Sequence, residues 1–233
     1  MAEPNEPFDF EYEDDDEIWD EYRWERFKQQ SDMRSEKYRQ LLEKYMDHPD
    51  RDKIIAKEMG WDDLLEDLEA LERGDIPDDE DEDMDGIYDE DIDEGDEWKQ
   101  STGYKEDDAD SVKDLPVYQK AYQYSLDAHK LVKQIGENRR EEVISEFIGA
   151  AILPAAKIAG GYAMGFEMQF LGGNIANCKR GLAAANRMLN ALDIMLEEGI
   201  IDRDVYDEYY RRGKEVRDEL ELYITELRDR FKR

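Results

Sequence analysis

Apolar residues recur through the second half of this chain in a helical rhythm. Val117, Ala121, Tyr124, Ala128, Leu131 and Ile135 step alternately by four and three, the seam of an amphipathic helix that Gly136 ends. A second predicted helix starts near Asn138 or Arg139 and carries Ile144, Phe147, Ala151 and Ile158. Pro154 lies inside it and predicts a kink or break, because proline removes a backbone donor and crowds the preceding turn. Gly160, Gly161 and Gly165 loosen its end. A third helix carries Ile175, Cys178, Leu182, Ala185, Leu189, Leu192 and Leu196, without a missed step, up to Gly199. Asp202 caps a fourth, with Val205, Tyr209, Val216, Leu220, Tyr223, Leu227 and Phe231. No stretch alternates with a period of two, so no sheet is expected. The expected fold is all-α: an antiparallel up-down four-helix bundle with an acidic, partly helical, partly disordered N-terminal extension.

That extension has thinner apolar stripes. One or two helices are expected from about Asp14 to Met46, stopped by His48-Pro49. Another is expected over about 50–73, through Ile54, Trp61, Leu65, Leu68 and Leu71, with Asp62-Asp63 as a cap after Gly60. These helices either pack on the C-terminal half or stay mobile. Three regions follow: residues 1–74, acidic with one to three amphipathic helices; residues 75–113, an acidic disordered linker; and residues 114–231, the bundle.

Charge sharpens the division. Of the 233 residues, the first 112 carry 44 Asp/Glu against 13 Lys/Arg, and the rest carry 20 against 19. The net of −32 and the mean hydropathy of −0.96 describe a heavily solvated chain. An acidic half lacks the cations that phosphate contacts require; it suits basic partners or divalent cations, or serves simply as a solvating, self-repelling tail. The longest apolar stretches are short and hold Gly or Pro, as in Ile148-Gly149-Ala150-Ala151-Ile152-Leu153-Pro154, so no membrane span is expected. Met1-Ala2-Glu3-Pro4 has no basic start or apolar core, so no signal peptide is expected and the cytoplasm is the default location. A single Cys178 excludes an internal disulfide.

Asp81-x-Asp83-x-Asp85-Gly86 resembles the start of a calcium loop and makes those three carboxylates a candidate metal site, although Ile92 stands where the bidentate Glu belongs. His48 and His129 are the only histidines, and nothing in the sequence suggests that they meet as a catalytic pair. No Glu-x-x-His motif supports a di-iron bundle. The chain therefore reads as non-enzymatic and without a cofactor. Basic residues do cluster: Arg139 and Arg140 open the second helix, Lys179, Arg180 and Arg187 lie on the third, and Arg211, Arg212, Lys214, Arg217, Arg228, Arg230, Lys232 and Arg233 lie on the fourth. Carboxylates alternate with many of them, the mark of a solvated face with i,i+4 pairs. The functional alternative is a stripe for a partner or nucleic acid, which the acidic tail can occupy by mimicking a polyanion.

The C-terminal half resembles a known family at three places: Asp114-Leu115-Pro116-Val117-Tyr118-Gln119-Lys120-Ala121-Tyr122, Leu153-Pro154-Ala155-Ala156-Lys157-Ile158-Ala159-Gly160-Gly161-Tyr162, and Leu196-Glu197-Glu198-Gly199-Ile200-Ile201. It is similar to the small four-helix-bundle proteins encoded in intervening sequences of bacterial 23S ribosomal RNA genes, a group that includes the accessory variability protein of diversity-generating retroelements. The resemblance implies a homo-oligomer, often a five-membered ring, with no catalysis of its own. The retroelement member acts by binding a reverse transcriptase and RNA. Gly160 stands where the family often has Glu, and this module is near neutral where nucleic-acid-binding members are basic. Two functions are thus expected to compete: an oligomeric scaffold whose acidic arm recruits a basic protein, and a nucleic-acid accessory protein gated by that arm.

Overall fold

A computed structural model describes residues 18–61, 64–66, 70, 73, 112–136 and 142–232, and within them the chain is all-helical with no strand. The helices are α1 (Glu21–Lys44), α2 (Arg51–Met59), α3 (Pro116–Ile135), α4 (Glu142–Met164), α5 (Met168–Glu197) and α6 (Arg203–Phe231); a short 3-10 turn, Val112–Asp114, leads into α3. The candidate residues Asp81, Asp83, Asp85, Arg139 and Arg140 lie outside the described residues, as does Asp62-Asp63.

The chain divides into two compact units. One takes Asp16–Phe27 together with Ala109–Arg233, and the other takes the remaining N-terminal residues to Asp108. In the latter, Leu41, Ile55 and Ala56 are the buried apolar residues among those described. Tyr38 meets Trp61 with ring centroids 5.4 Å apart, and Lys37 donates to the Glu58 carbonyl. The buried pair on α2 sits one position beyond Ile54, the residue its sequence pattern singles out.

In the larger unit, α3 packs on α4, α4 on α5 and α5 on α6, and α3 also meets α6. The shared core holds Tyr124, Phe147, Ile158, Leu171, Met188, Leu192, Leu220 and Leu227. The α3 seam is buried as its spacing predicts, through Val117, Ala121, Tyr124, Ala128 and Leu131. On α5 the buried surface is wider than the predicted seam: every residue from Leu171 to Cys178 is buried, while Leu182 and Leu196 are only partly so. Asp202 caps α6 as expected, its carboxylate accepting from the Val205 amide at 2.9 Å.

The α4–α5 contact is the most extensive, and small residues make it so. A Cβ on Gly181 would lie 3.5 Å from the Pro154 Cα and 3.3 Å from the Lys157 Cβ, which measures how closely the two backbones approach. That packing explains why α4 remains one helix through Pro154 instead of breaking there: proline in a helix interior costs about 3 kcal/mol, and close burial of Pro154 offsets it. Asn174 fills the space beside Gly161, where a Cβ would meet its Oδ1 at 2.6 Å, and its amide donates to the Gly165 carbonyl at 3.1 Å.

α4 also corrects the reading that no segment is long enough to span a bilayer. It runs 23 residues with an 18-residue window of mean hydropathy 1.5, so by length and composition alone it qualifies. Ile144, Phe147, Ala151, Ile158 and Gly161 on α4 are committed to the protein core.

Candidate functional site

The basic residues of α5 and α6 do not form one open stripe. They fall into three settings, each decided by the carboxylate nearest to hand.

The first setting is built from α5, α6 and the start of α1. Arg228 donates to both carboxylate oxygens of Glu21, at 2.9 Å from Nη2 and 3.0 Å from Nε. Lys179 lies 3.4 Å from the same carboxylate and 4.5 Å from the centre of the Tyr22 ring. Arg180 holds Glu25 through two bonds, 2.9 and 3.2 Å. The Glu21 carboxylate beside Arg228 raises the pKa of that guanidinium above its ordinary value. Beneath these pairs lies an apolar seat. Trp19, Trp24 and Phe27 meet one another at centroid distances of 5.2 to 5.9 Å. Two adjacent glycines receive them. A Cβ on Gly172 would fall 2.2 Å from the Trp19 carbonyl oxygen and 2.9 Å from Trp24 Cδ1, and one on Gly173 would fall 3.0 Å from Trp24 Cδ2. Only a residue without a side chain admits a polypeptide backbone that close. Asp20 starts the helix that carries these groups: its carboxylate accepts from the Tyr22 and Arg23 amides, the usual satisfaction of orphan donors at a helix start.

The second setting is a clamp between α3 and α6. Arg212 donates to Asp127 and lies 6.0 and 5.9 Å from the Tyr124 and Tyr209 rings. The Tyr209 hydroxyl donates to the Asp127 carbonyl at 3.0 Å, and the Tyr124 hydroxyl to the Tyr209 carbonyl at 3.2 Å. Hydrogen bonds from Arg212, and then Lys130, hold the Asp127 carboxyl well below the usual range. Arg212 is therefore part of the interior wiring of the unit.

The third setting is the solvated helix surface. Arg187 reaches Glu146 at 3.1 Å, Arg211 reaches Glu215 at 2.6 Å along α6, and Arg217 pairs with its neighbour Asp218. Lys214 is exposed and makes no ion pair with a described residue.

Other chemistry is sparse. Cys178 is fully buried, donates toward Asn174 Oδ1 at 3.6 Å, and burial pushes its thiol up to about 12. His129 is exposed on α3, and His48 accepts from the Asp50 amide outside that unit. Among the described residues no group of three His, Cys, Asp or Glu is placed to hold a metal. A groove of about 750 Å³ lies between the start of α4 and the end of α5, with Glu142, Glu146, Glu198 and Arg187 around Val143 and Ile194.

Sequence reasoning brought Lys179, Arg180 and Arg228 forward as cations but missed Glu21 and Glu25 as their partners. The Gly172-Gly173 pair is the one readable signal, since two glycines inside an otherwise regular helix mark a close approach, but nothing local names the approaching segment, which is about 150 positions away. Comparison of the chain with family models, with curated proteins and with solved structures finds no match in any of the three.

Proposed function

We propose that this chain is a non-enzymatic helical scaffold or adaptor that self-associates and recruits a basic protein through its acidic arm, residues 75–113. The larger unit serves as the scaffold, with α3 to α6 as an antiparallel up-down four-helix bundle joined by short connections. One observation carries the reading. Lys179, Arg180, Arg187, Arg211, Arg212 and Arg217 are each matched by a carboxylate of the same chain. The acidic half carries 44 Asp/Glu against 13 Lys/Arg, an excess that attracts cations and repels phosphate. The resemblance to the intervening-sequence bundle family supports self-association, a pentamer included.

A direct test is fluorescence anisotropy with labelled poly-lysine and with a single-stranded RNA of equal length, across a salt series. Tight, steeply salt-dependent capture of poly-lysine supports the adaptor. Tight RNA binding by the intact chain replaces it with the second reading, an accessory protein for RNA or a reverse transcriptase gated by the acidic segment. That second reading draws on Glu21 and Glu25, which show that carboxylates of the acidic half can cover Lys179, Arg180 and Arg228, as the arm would in gating.

A further inference from the structure

We propose that the groove on α5 and α6 is a docking site for acidic, aromatic-anchored helical segments of partner proteins, and that residues 19–27 are the chain's own occupant, which such a segment displaces. The resident segment defines the chemistry that fits. Three cations from two helices, Lys179, Arg180 and Arg228, converge on two carboxylates one helical turn apart, Glu21 and Glu25. Between them, Gly172 and Gly173 leave room for indole rings and for main chain. A ligand therefore needs acids at i and i+4 and aromatic anchors close by, here Trp19 and Trp24 five positions apart. The cradle selects polypeptide over nucleic acid. At Gly172 the space is set by a main-chain carbonyl, and a Cβ there would sit 2.2 Å from it. A sugar-phosphate backbone would use the cations and leave that cradle unfilled.

The occupant is held lightly at its edges. Tyr22 and Ile18 are 59% and 49% exposed, so the segment keeps apolar surface in water while docked. The Arg228 side chain is 40% exposed and that of Lys179 31%, while the Glu21 carboxylate they share is 12% exposed, so these pairs are reached by solvent from the cation side and partly screened by salt. The cis segment has the advantage of tethering. Linkage within one chain gives an effective concentration of at most about a millimolar. A partner segment displaces it only when its affinity for the empty groove is well below that, so opening the groove should raise apparent affinity strongly. This surface is distinct from residues 75–113, so its failure leaves the recruitment of a basic protein untouched.

The test uses the full chain and one probe, a fluorescent peptide spanning residues 16–31. The double variant Trp19→Ser/Trp24→Ser opens the groove without altering α5 or α6. The opened chain should bind the peptide at least tenfold more tightly than wild type, and Gly172→Leu added to it should abolish binding. Binding should weaken with salt, and a peptide with Glu21→Gln and Glu25→Gln should bind less well. A folded, opened chain that ignores the peptide, or binds it equally with Gly172→Leu, overturns the proposal. So does one that prefers a single-stranded RNA to the peptide. If circular dichroism shows the opened chain unfolded, hydrogen exchange on wild type decides. Excess peptide should strip protection from residues 19–27, and unchanged protection refutes the displacement.

Discussion

Gly172→Ala should release the segment at residues 19–27 while leaving α5 and the core intact. The added methyl carbon would lie 2.2 Å from the Trp19 carbonyl oxygen and 2.8 Å from the Asp20 carbonyl carbon. Both are backbone atoms, so no side-chain rotation relieves the clash. The docked segment must lift. What it gives up follows from the contacts. Trp19 and Trp24 are half-buried, and at 1.5 to 3 kcal/mol for a fully buried large apolar side chain, the two contribute about 2 kcal/mol. The partly exposed pairs of Glu21 and Glu25 add roughly 1 kcal/mol together. Alanine in a helix interior returns up to about 1 kcal/mol over glycine, leaving a net local cost of about 2 kcal/mol. Hydrogen exchange should show lost protection over residues 19–27 alone, and tryptophan emission should shift to the red. The thermal transition of the larger unit should stay cooperative, because Leu192, Leu220 and Leu227 are not touched. Unchanged protection and emission in a folded variant would show that the segment does not rest on Gly172.

Leu189→Asp should destabilise the larger unit by several kcal/mol, since Leu189 is 7% exposed within the core, whereas Arg187→Asp two positions away should cost under about 1 kcal/mol; equal urea midpoints would refute the helix phase. Asp127→Asn should cost roughly 1 to 3 kcal/mol at neutral pH, because the carboxylate accepts charge-assisted hydrogen bonds from Arg212 and Lys130. The folded carboxyl is depressed, so its stabilisation is present above the ordinary Asp value of about 4 and is lost as pH falls from there. Denaturation at pH 7 and pH 3 should therefore show a gap between variant and wild type that narrows in acid, and a constant gap contradicts the ion-pair argument. Cys178, with its thiol raised to about 12 and no exposed surface, should react with a thiol reagent only as fast as the chain opens; stoichiometric labelling of the native protein within seconds would place it elsewhere.

The sequence by itself determined the elements. Steps of three and four put Val117 through Leu131, and Ile175 through Leu192, on helix faces that must be buried, and such short-range repetition needs no knowledge of partners. Asp202 and Gly199 mark a start and a stop through their own backbone chemistry: a carboxylate within reach of an orphan amide, and a φ of +66° that glycine adopts without strain. Pro154 was legible as a residue but not in its consequence, because what keeps α4 continuous there is Gly181 on another helix. The site was less legible still. Lys179, Arg180 and Arg212 look alike in sequence, each a cation on an amphipathic helix among acids. Their partners, Glu21, Glu25 and Asp127, lie 158, 155 and 85 positions away, and no local pattern encodes a pairing over such distances. Tertiary packing made one of them a clamp within the unit and placed the other two around the seat of residues 19–27. It did so because charge interacts through space, and only the folded chain fixes which carboxylate is near.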